Sequence, residues 1–210
     1  IILQGDVALK ATSLDIPADI SSAAFFLVAS SIAEGSDLTL EHVGMNPTRA
    51  GVITILTLMG AEIEVLNERE VGGEPVADLR VRSAPLTGIE IPEDLVPLAI
   101  DEFPVLFIAA ACASGNTVLM GAEELRGKES DRIASMAEGL TRLGIENDVR
   151  EDGIAITGGQ LTGGEVDTFH DHRIAMSFSI AALCASGPIH INDCDHGATS
   201  FPGFAALARG

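Results

Sequence analysis

The chain has 210 residues, of which 47% are hydrophobic, and it carries a formal net charge of -19. This length and apolar content can bury the core of one large or two small domains, which excludes a disordered chain. The acidic balance argues against nucleic acid and anionic membrane surfaces as partners. The longest apolar runs, residues 23–29 and 103–113, are too short to span a bilayer, so we expect a soluble cytoplasmic protein.

Three stretches of similar build organise the chain. Each begins with Asp, continues as an apolar run and ends at Gly, at residues 19–35, 101–115 and 171–187. An Asp N-cap, an apolar body and a C-terminal Gly are typical of a helix. Because each run is apolar or small nearly all round, we expect three helices that are buried on every side and packed together. Asp19, Asp101 and Asp171 would then lie at one end of the molecule, where we expect a site.

Short alternating runs around these helices predict strands. One strand follows each Gly, at residues 37–43, 116–120 and 188–192. Two pairs of strands are expected, 61–66 with 78–82 and 145–149 with 153–157. A further strand leads into each apolar helix, at residues 1–4, 88–91 and 165–168. A second helix is expected in the first two units, and a short helix near 201–209 ends the third. The prediction is an α/β fold of βαβαββ-type units over about 1–83, 84–158 and 159–210. Buried helices, outer sheets and right-handed crossovers would form one domain.

The stretch from Leu125 to Arg132 places three of the chain's 12 basic residues within seven positions. Ser130 and Asp131 are N-cap types and a periodic apolar run follows, so a helix is predicted to begin here. The free N-H groups and positive dipole end of that helix would combine with the side-chain charges to bind an anion. The alternative is an exposed first turn held by internal salt bridges.

Two other positions are candidates for chemistry. Asp101 begins the second apolar run, so it is either the N-cap of that helix or a carboxylate of the site. Arg173 lies in the first turn of a helix, where a cation opposes the dipole unless it has an anionic partner, and this indicates ligand binding. His170, His172 and the run 193–196 lack the paired spacing of a metal site, so we expect no metal.

Several motifs together resemble a known family. K-E-S-D-R at 128–132, D-H-R-I-A-M at 171–176, and the segments at 19–26, 100–102 and 199–202 resemble the C-terminal half of the 5-enolpyruvylshikimate-3-phosphate synthases. The match is collinear over nearly the whole chain, and the first two motifs together are highly specific. The resemblance implies two domains of three βαβαββ units each, with the active site in the cleft between them. Residues 1–210 would form the C-terminal domain, without the N-terminal one.

The resemblance implies transfer of the enolpyruvyl group of phosphoenolpyruvate to the 5-hydroxyl of shikimate 3-phosphate, with release of phosphate and without any cofactor. By motif, Arg132 and Arg173 would hold the carboxylate or phosphate of phosphoenolpyruvate, for which forked guanidinium donors are suited. Glu129 would be the general acid that protonates the methylene carbon, and Asp101 would orient or deprotonate the attacking hydroxyl. Lys128 would lie near that hydroxyl and moderate the charge of the two acids.

Two features depart from the family pattern. Some members carry Lys just before the terminal Ser/Thr-Phe-Pro turn, where this chain has Thr199. The N-terminal half, which supplies most contacts to shikimate 3-phosphate in the family, is not in these 210 residues. We therefore expect the chain to form one wall of the cleft and to turn over weakly or not at all alone. The alternatives are a UDP-N-acetylglucosamine enolpyruvyl transferase domain and a non-catalytic domain that docks a second chain.

Overall fold

Three apolar helices form the centre of the molecule. The computed structural model describes Gly5, Ala8, residues 10–194 and residues 200–208. The central helices are α1 (Ile20–Ile32), α3 (Phe103–Cys112) and α5 (His172–Ala181), and each packs against the other two. Nine of the ten residues of α3 are buried, so this helix has no face for water. The expectation of three buried helices in mutual contact is therefore confirmed.

In the described part of the chain, three further α-helices and three sheets surround this centre. The remaining helices are α2 (Gly51–Leu58), α4 (Arg132–Arg142) and α6 (Phe204–Leu207). The first antiparallel sheet has the order β1-β3-β2, from β1 (Asp37–Gly44), β2 (Glu62–Val71) and β3 (Glu74–Arg82). The second has the order β4-β6-β5, from β4 (Asn116–Leu119), β5 (Asn147–Val149) and β6 (Ile154–Thr157). The third pairs β7 (Gly164–Val166) with β8 (Ile189–Ile191) in parallel.

In each unit, the segment before the central helix runs parallel to the strand that follows that helix. In the third unit this segment is β7, close to the predicted 165–168. In the second unit this segment makes only isolated bridges, at Thr87 and Glu90. The prediction of a regular strand over 88–91 was therefore wrong. In the first unit Ala18 bridges to Val43 of β1, whereas the strand predicted at 1–4 lies outside the described residues.

The starts of the central helices differ from one another. The side chains of Asp19 and Asp171 cap α1 and α5 by accepting hydrogen bonds from Ser22 N and Arg173 N. Asp101 does not cap α3: the N-cap is Glu102, whose side chain makes no capping hydrogen bond. The reason is local, because Pro104 occupies the second helical position and has no N-H to offer to a cap. The N-cap role expected of Asp101 was therefore wrong.

Side-chain contacts bring the starts of the helices together at one end. Ser21 Oγ of α1 donates to Glu102 Oε1 over 2.5 Å, and Arg173 Nη1 of α5 donates to the Asp101 carbonyl over 2.8 Å. Arg132, the first residue of α4, reaches Asp171 from the same side. Asp101 and Asp171 thus meet at this end as expected, whereas the hydrogen bonds of the Asp19 side chain among the described residues are to Ser22 alone. Among the described residues, no helix is long and apolar enough to cross a membrane.

Candidate active site

The basic stretch folds as a 3-10 turn over Glu123–Gly127 followed by the start of α4. Asp131 caps α4 by accepting from Ala134 N over 3.0 Å, which confirms the predicted helix start. Asp131 also accepts from Arg126 Nη1 over 2.6 Å, and Arg126 donates to two backbone carbonyls of the loop at 150–151. Arg126 therefore holds this loop to the helix and does not share the contacts of the other two cations.

Arg132 is the centre of the candidate site, although only 1% of its side chain is exposed. Its Nε donates to Asp171 Oδ2 over 2.8 Å, its Nη1 to Asp101 Oδ1 over 3.3 Å, and its Nη2 to Glu129 Oε2 over 2.5 Å. Three carboxylates from three segments of the chain thus surround one buried guanidinium. A substrate anion can reach Arg132 only if one of these carboxylates moves aside.

Asp171 ties this arrangement to the fold. It is fully buried, and its carboxylate accepts from Arg173 N, Arg132 Nε and Ser130 Oγ. The two residues before it, Phe169 and His170, have φ of 52° and 62°, a left-handed backbone that non-glycine residues rarely adopt. The chain therefore enters α5 through a strained turn, and the contacts of Asp171 hold that turn in place.

Lys128 and Asp101 form a second, less buried pair. Lys128 Nζ lies 3.3 Å from Asp101 Oδ1 and 2.6 Å from Glu124 Oε1. Burial opposes the ionisation of Asp101, but the charges of Arg173, Lys128 and Arg132 together outweigh it and hold the pKa of Asp101 below its ordinary value. The hydrogen bond to Glu124, helped by Asp101, raises the pKa of Lys128. Both groups therefore carry full charge at neutral pH.

Arg173 has donors to spare. Its Nη1 donates to the Asp101 carbonyl over 2.8 Å and lies 3.5 Å from Glu102 Oε1, and 15% of its side chain is exposed. Its Nε and Nη2 have no hydrogen-bond partner within residues 10–194 and 200–208. A guanidinium held by one nitrogen, with further N-H groups available at a helix start, is suited to receive an anion.

The structure thus brings all five predicted site residues together, though in unequal surroundings. Arg132 is enclosed, Asp101, Lys128 and Arg173 are partly covered, and Glu129 is the most open with 53% of its side chain exposed. Burial lowers the pKa of the neighbouring His172. In the described part of the chain, no group of three or more His, Cys, Asp or Glu is arranged to hold a metal ion. Thr199 and residues 195–196 lie outside the described residues.

Sequence reasoning missed three residues that build the site. Glu102 and Ser21 are buried and bonded to each other across 81 positions, and Ser130 reaches Asp171 across 41. Local patterns could not indicate these pairs, because the contacts depend on how the helices pack. The available signal was a second acidic residue, at 102 beside Asp101, directly before a long apolar run, since a buried carboxylate needs partners.

The chain is similar in sequence to a known family of proteins. A family model described as EPSP synthase (3-phosphoshikimate 1-carboxyvinyltransferase) matches residues 1–207. The 3-phosphoshikimate 1-carboxyvinyltransferase of Alkalilimnicola ehrlichii is 66% identical over 99% of this chain and 47% of its own length. That of Methylococcus capsulatus is 65% identical over 100% of this chain and 48% of its own.

Solved structures have the same fold. The EPSP synthase from Acinetobacter baumannii matches with a TM-score of 0.91 and 58% identity, over 93% of this chain and 46% of that one. The enolpyruvyl transferase NikO from Streptomyces tendae is similar in fold alone, with a TM-score of 0.65 and 19% identity over 89% of this chain and 41% of that one. The chain spans about half the length of the curated relatives it matches. On the match over residues 1–207 and these identities, the chain belongs to the EPSP synthase family.

Proposed function

We propose that this chain forms one wall of the active site of a transferase, a 3-phosphoshikimate 1-carboxyvinyltransferase. The enzyme would move the enolpyruvyl group of phosphoenolpyruvate to the 5-hydroxyl of shikimate 3-phosphate and release phosphate. The observation that carries the proposal is the convergence of two arginines, a lysine and two partly exposed acids on one end of the helix bundle. This set can bind an anion, orient a hydroxyl and deliver a proton.

Anion binding in the proposal begins at Arg173, whose Nε and Nη2 face no hydrogen-bond partner in the described residues. Arg132 would join when Glu129, the most exposed of its three carboxylates, turns away from Nη2. The carboxylate or phosphate of phosphoenolpyruvate would then take the place of Glu129 on that nitrogen. Such an exchange replaces one charge-assisted pair by another, so the guanidinium is never left buried and unpaired.

The same exchange prepares Glu129 for its role as general acid. While Glu129 lies on Arg132, its carboxylate is engaged in that ion pair. Once the substrate anion takes that nitrogen, the Glu129 side chain is released and can turn toward the substrate. Binding would therefore free the group that is proposed to protonate the methylene carbon.

Asp101 and Lys128 are proposed to act on the attacking hydroxyl. The lowered pKa of Asp101 makes it a weak base, so it would orient the hydroxyl first and take its proton only as the new C-O bond forms, when the oxygen becomes strongly acidic. Lys128 Nζ, 3.3 Å from the same carboxylate, would share the hydroxyl oxygen and offset the negative charge nearby. No cofactor takes part in this proposal.

We further propose that residues 1–210 form a single domain that works with the N-terminal half found in the family. The three repeats would cover about 1–83, 84–158 and 159–210. Phosphoenolpyruvate, shikimate 3-phosphate and the N-terminal domain would be its partners, with neither nucleic acid nor membrane among them. The location would be cytoplasmic.

The decisive test is phosphate release from phosphoenolpyruvate and shikimate 3-phosphate, with omission of either substrate as control. We expect little release from the chain alone and clear release when the N-terminal half of the Acinetobacter baumannii enzyme is added. Release by the chain alone that needs both substrates would overturn the half-site proposal. No release with the added half, or release with UDP-N-acetylglucosamine instead of shikimate 3-phosphate, would overturn the assigned activity.

A matched substitution tests the site residues. Arg173→Ala removes the guanidinium whose Nε and Nη2 have no hydrogen-bond partner among the described residues, and we expect phosphoenolpyruvate binding to weaken strongly, to a level that calorimetry still measures, with the far-ultraviolet circular dichroism spectrum retained. Arg142→Ala, an exposed arginine paired with Glu138, serves as control and should leave binding unchanged. Unchanged binding in Arg173→Ala would refute the assignment of this residue.

A further inference from the structure

Glu102 is a buried carboxylate that the proposed chemistry does not use. Only 3% of the residue is exposed, and it lies at the N-cap position of α3, where its side chain makes no capping hydrogen bond. A carboxylate removed from water is unfavourable unless other groups compensate it, so its partners indicate its role. Those partners come from the first turns of α1 and α5, which both face the candidate site.

On one side Glu102 faces Arg173. Glu102 Oε1 lies 3.5 Å from Arg173 Nη1, the nitrogen that also donates to the Asp101 carbonyl over 2.8 Å. These two acceptors belong to adjacent residues and bind the same nitrogen from the same segment. The Nη1 end of the guanidinium is thereby held by this segment, while Nε and Nη2 have no hydrogen-bond partner in the described part of the chain.

On the other side Glu102 is held by a short polar chain. Ser21 Oγ donates to Glu102 Oε1 over 2.5 Å and accepts from Arg49 Nη2 over 2.6 Å. Arg49 lies just before α2 and is exposed at the rim of a depression of about 180 Å³ that Asp101 and Glu102 also line. The order of contacts is therefore Arg49, Ser21, Glu102 and Arg173, and it links the first turns of three helices.

We propose that Glu102 is a positioning residue for Arg173, and that Ser21 and Arg49 hold Glu102 in the orientation this requires. The inference rests on the proposed function, since it assigns Arg173 to the binding of an anion. Glu102 itself touches no substrate in this proposal. It acts by limiting the orientations of the Arg173 guanidinium before the ligand arrives, which favours binding through preorganisation.

The test begins with a readout that needs no ligand. In the chain labelled with nitrogen-15, the Nε-Hε signal of Arg173 is identified by its absence from Arg173→Ala, and its heteronuclear NOE reports the order of the side chain. We expect the NOE to fall in Glu102→Gln, which keeps the shape but not the charge. In Glu138→Gln, an exposed acid paired with Arg142, it should not change. An unchanged Arg173 signal in Glu102→Gln would overturn the inference, whatever the ligand does.

The second readout is phosphoenolpyruvate binding by calorimetry in a double-mutant cycle. We expect Glu102→Gln to weaken binding about tenfold, the scale of one charge-assisted contact. In the Arg173→Ala background the same change should alter the Kd less than about twofold, because the effect passes through Arg173. Effects that simply add in the double variant would refute positioning. If the unmodified chain fails to bind phosphoenolpyruvate, the proposed function fails while the NMR result still decides the role of Glu102.

Ser21→Ala tests the support of Glu102. It removes the hydroxyl that donates to Glu102, so we expect an intermediate loss of order at Arg173 Nε. Ser22→Ala is the matched control on the same turn, since the Ser22 hydroxyl bonds to Asp19 instead. Equal effects of the two serine variants would count against the proposed chain of contacts.

Discussion

At the scale of single residues, the site depends on one guanidinium that has no access to water. Arg132 is paired on all three of its nitrogens, and its partner Asp171 is equally buried. Replacing such a pair entirely can be nearly neutral, whereas removing one member leaves a buried charge without compensation. The contact between Arg132 and Asp171 therefore supports both the stability of the fold and the geometry of the site.

Asp171→Asn tests how much the contact with Arg132 contributes to the free energy of unfolding. The substitution keeps the size of the side chain but removes the charge that faces Arg132 Nε, while Asp101 and Glu129 still pair with the other two nitrogens. We therefore expect a loss of about 2 to 3 kcal/mol in the free energy of unfolding, less than for a buried charge left wholly unpaired. Urea denaturation monitored by circular dichroism measures it. Asp148→Asn, at an exposed pair with Arg150, should lose less than about 1 kcal/mol. A loss at Asp171 as small as this control would contradict the account of Arg132.

Glu102→Gln has a pH-dependent effect on stability. Burial raises the pKa of Glu102 above the ordinary 4.5, against the lowering by the Ser21 hydrogen bond and by Arg173. The folded state thus binds the proton more tightly than the unfolded one, and the stability this gives is lost as the pH rises above 4.5. The variant has no such loss, so its stability relative to the unmodified chain should increase from about pH 4 to pH 7.

Denaturation at several pH values measures this trend. Glu138→Gln provides the baseline for replacing an exposed glutamate that is paired with Arg142. A relative stability of Glu102→Gln that decreases with pH would mean that the ionised carboxylate stabilises the fold, and would contradict the raised pKa.

At the scale of elements, the close contact between α4 and α5 depends on Gly139, which has no side chain. A Cβ added at Gly139 would lie 2.2 Å from Phe178 Cζ, and the Phe178 ring is fully buried. Ala favours a helix by about 1 kcal/mol over Gly, but overpacking costs about 1 to 3 kcal/mol where the neighbour cannot move. Packing should prevail, because the ring is enclosed.

We therefore expect Gly139→Ala to lower the free energy of unfolding by about 1 to 2 kcal/mol. Gly127→Ala is the control, since nothing lies within 4 Å of an added Cβ there and its φ is outside the left-handed range. That change should stay within about 0.5 kcal/mol. A stabilised Gly139→Ala would show that the ring can move and that helix propensity prevails.

The elements also show what sequence patterns could and could not predict. The central helices were predictable because an all-round apolar surface can only be buried, and the start at Asp131 because its capping is local. The pattern did not predict that Asp101 leaves α3 uncapped, because this depends on Pro104 at the second position of the helix. The enclosure of Arg132 by Asp101, Glu129 and Asp171 was not predictable, since a pattern that places an arginine at a helix start does not state what packs over it.

At the scale of the whole molecule, charge opposes folding. The chain has 31 acidic and 12 basic residues, and a net charge of -19 destabilises a compact state through repulsion. At 0.1 M salt, interactions between exposed charges that lie more than about 10 Å apart are largely screened. The buried contacts of Arg132 are screened much less. Salt should consequently relieve the repulsion more than it weakens the pairs that build the site.

The Tm of the chain is thus expected to rise by a few degrees between about 10 and 200 mM sodium chloride. Differential scanning calorimetry measures the change, and potassium chloride should act alike because screening depends on ionic strength. A Tm that falls with salt would mean that exposed ion pairs outweigh the general repulsion.

The enclosure of Arg132 also affects how variants of this protein would behave in a cell. Since the guanidinium joins α4 to α5, its replacement removes a part of the interior as well as a group of the site. Cells degrade chains that unfold more often, and a change of about 1 to 2 kcal/mol alters abundance several-fold. A genetic selection for loss of the proposed activity would therefore be expected to recover Arg132 variants as missing protein, and Arg173 variants as protein that is present in normal amount but inactive.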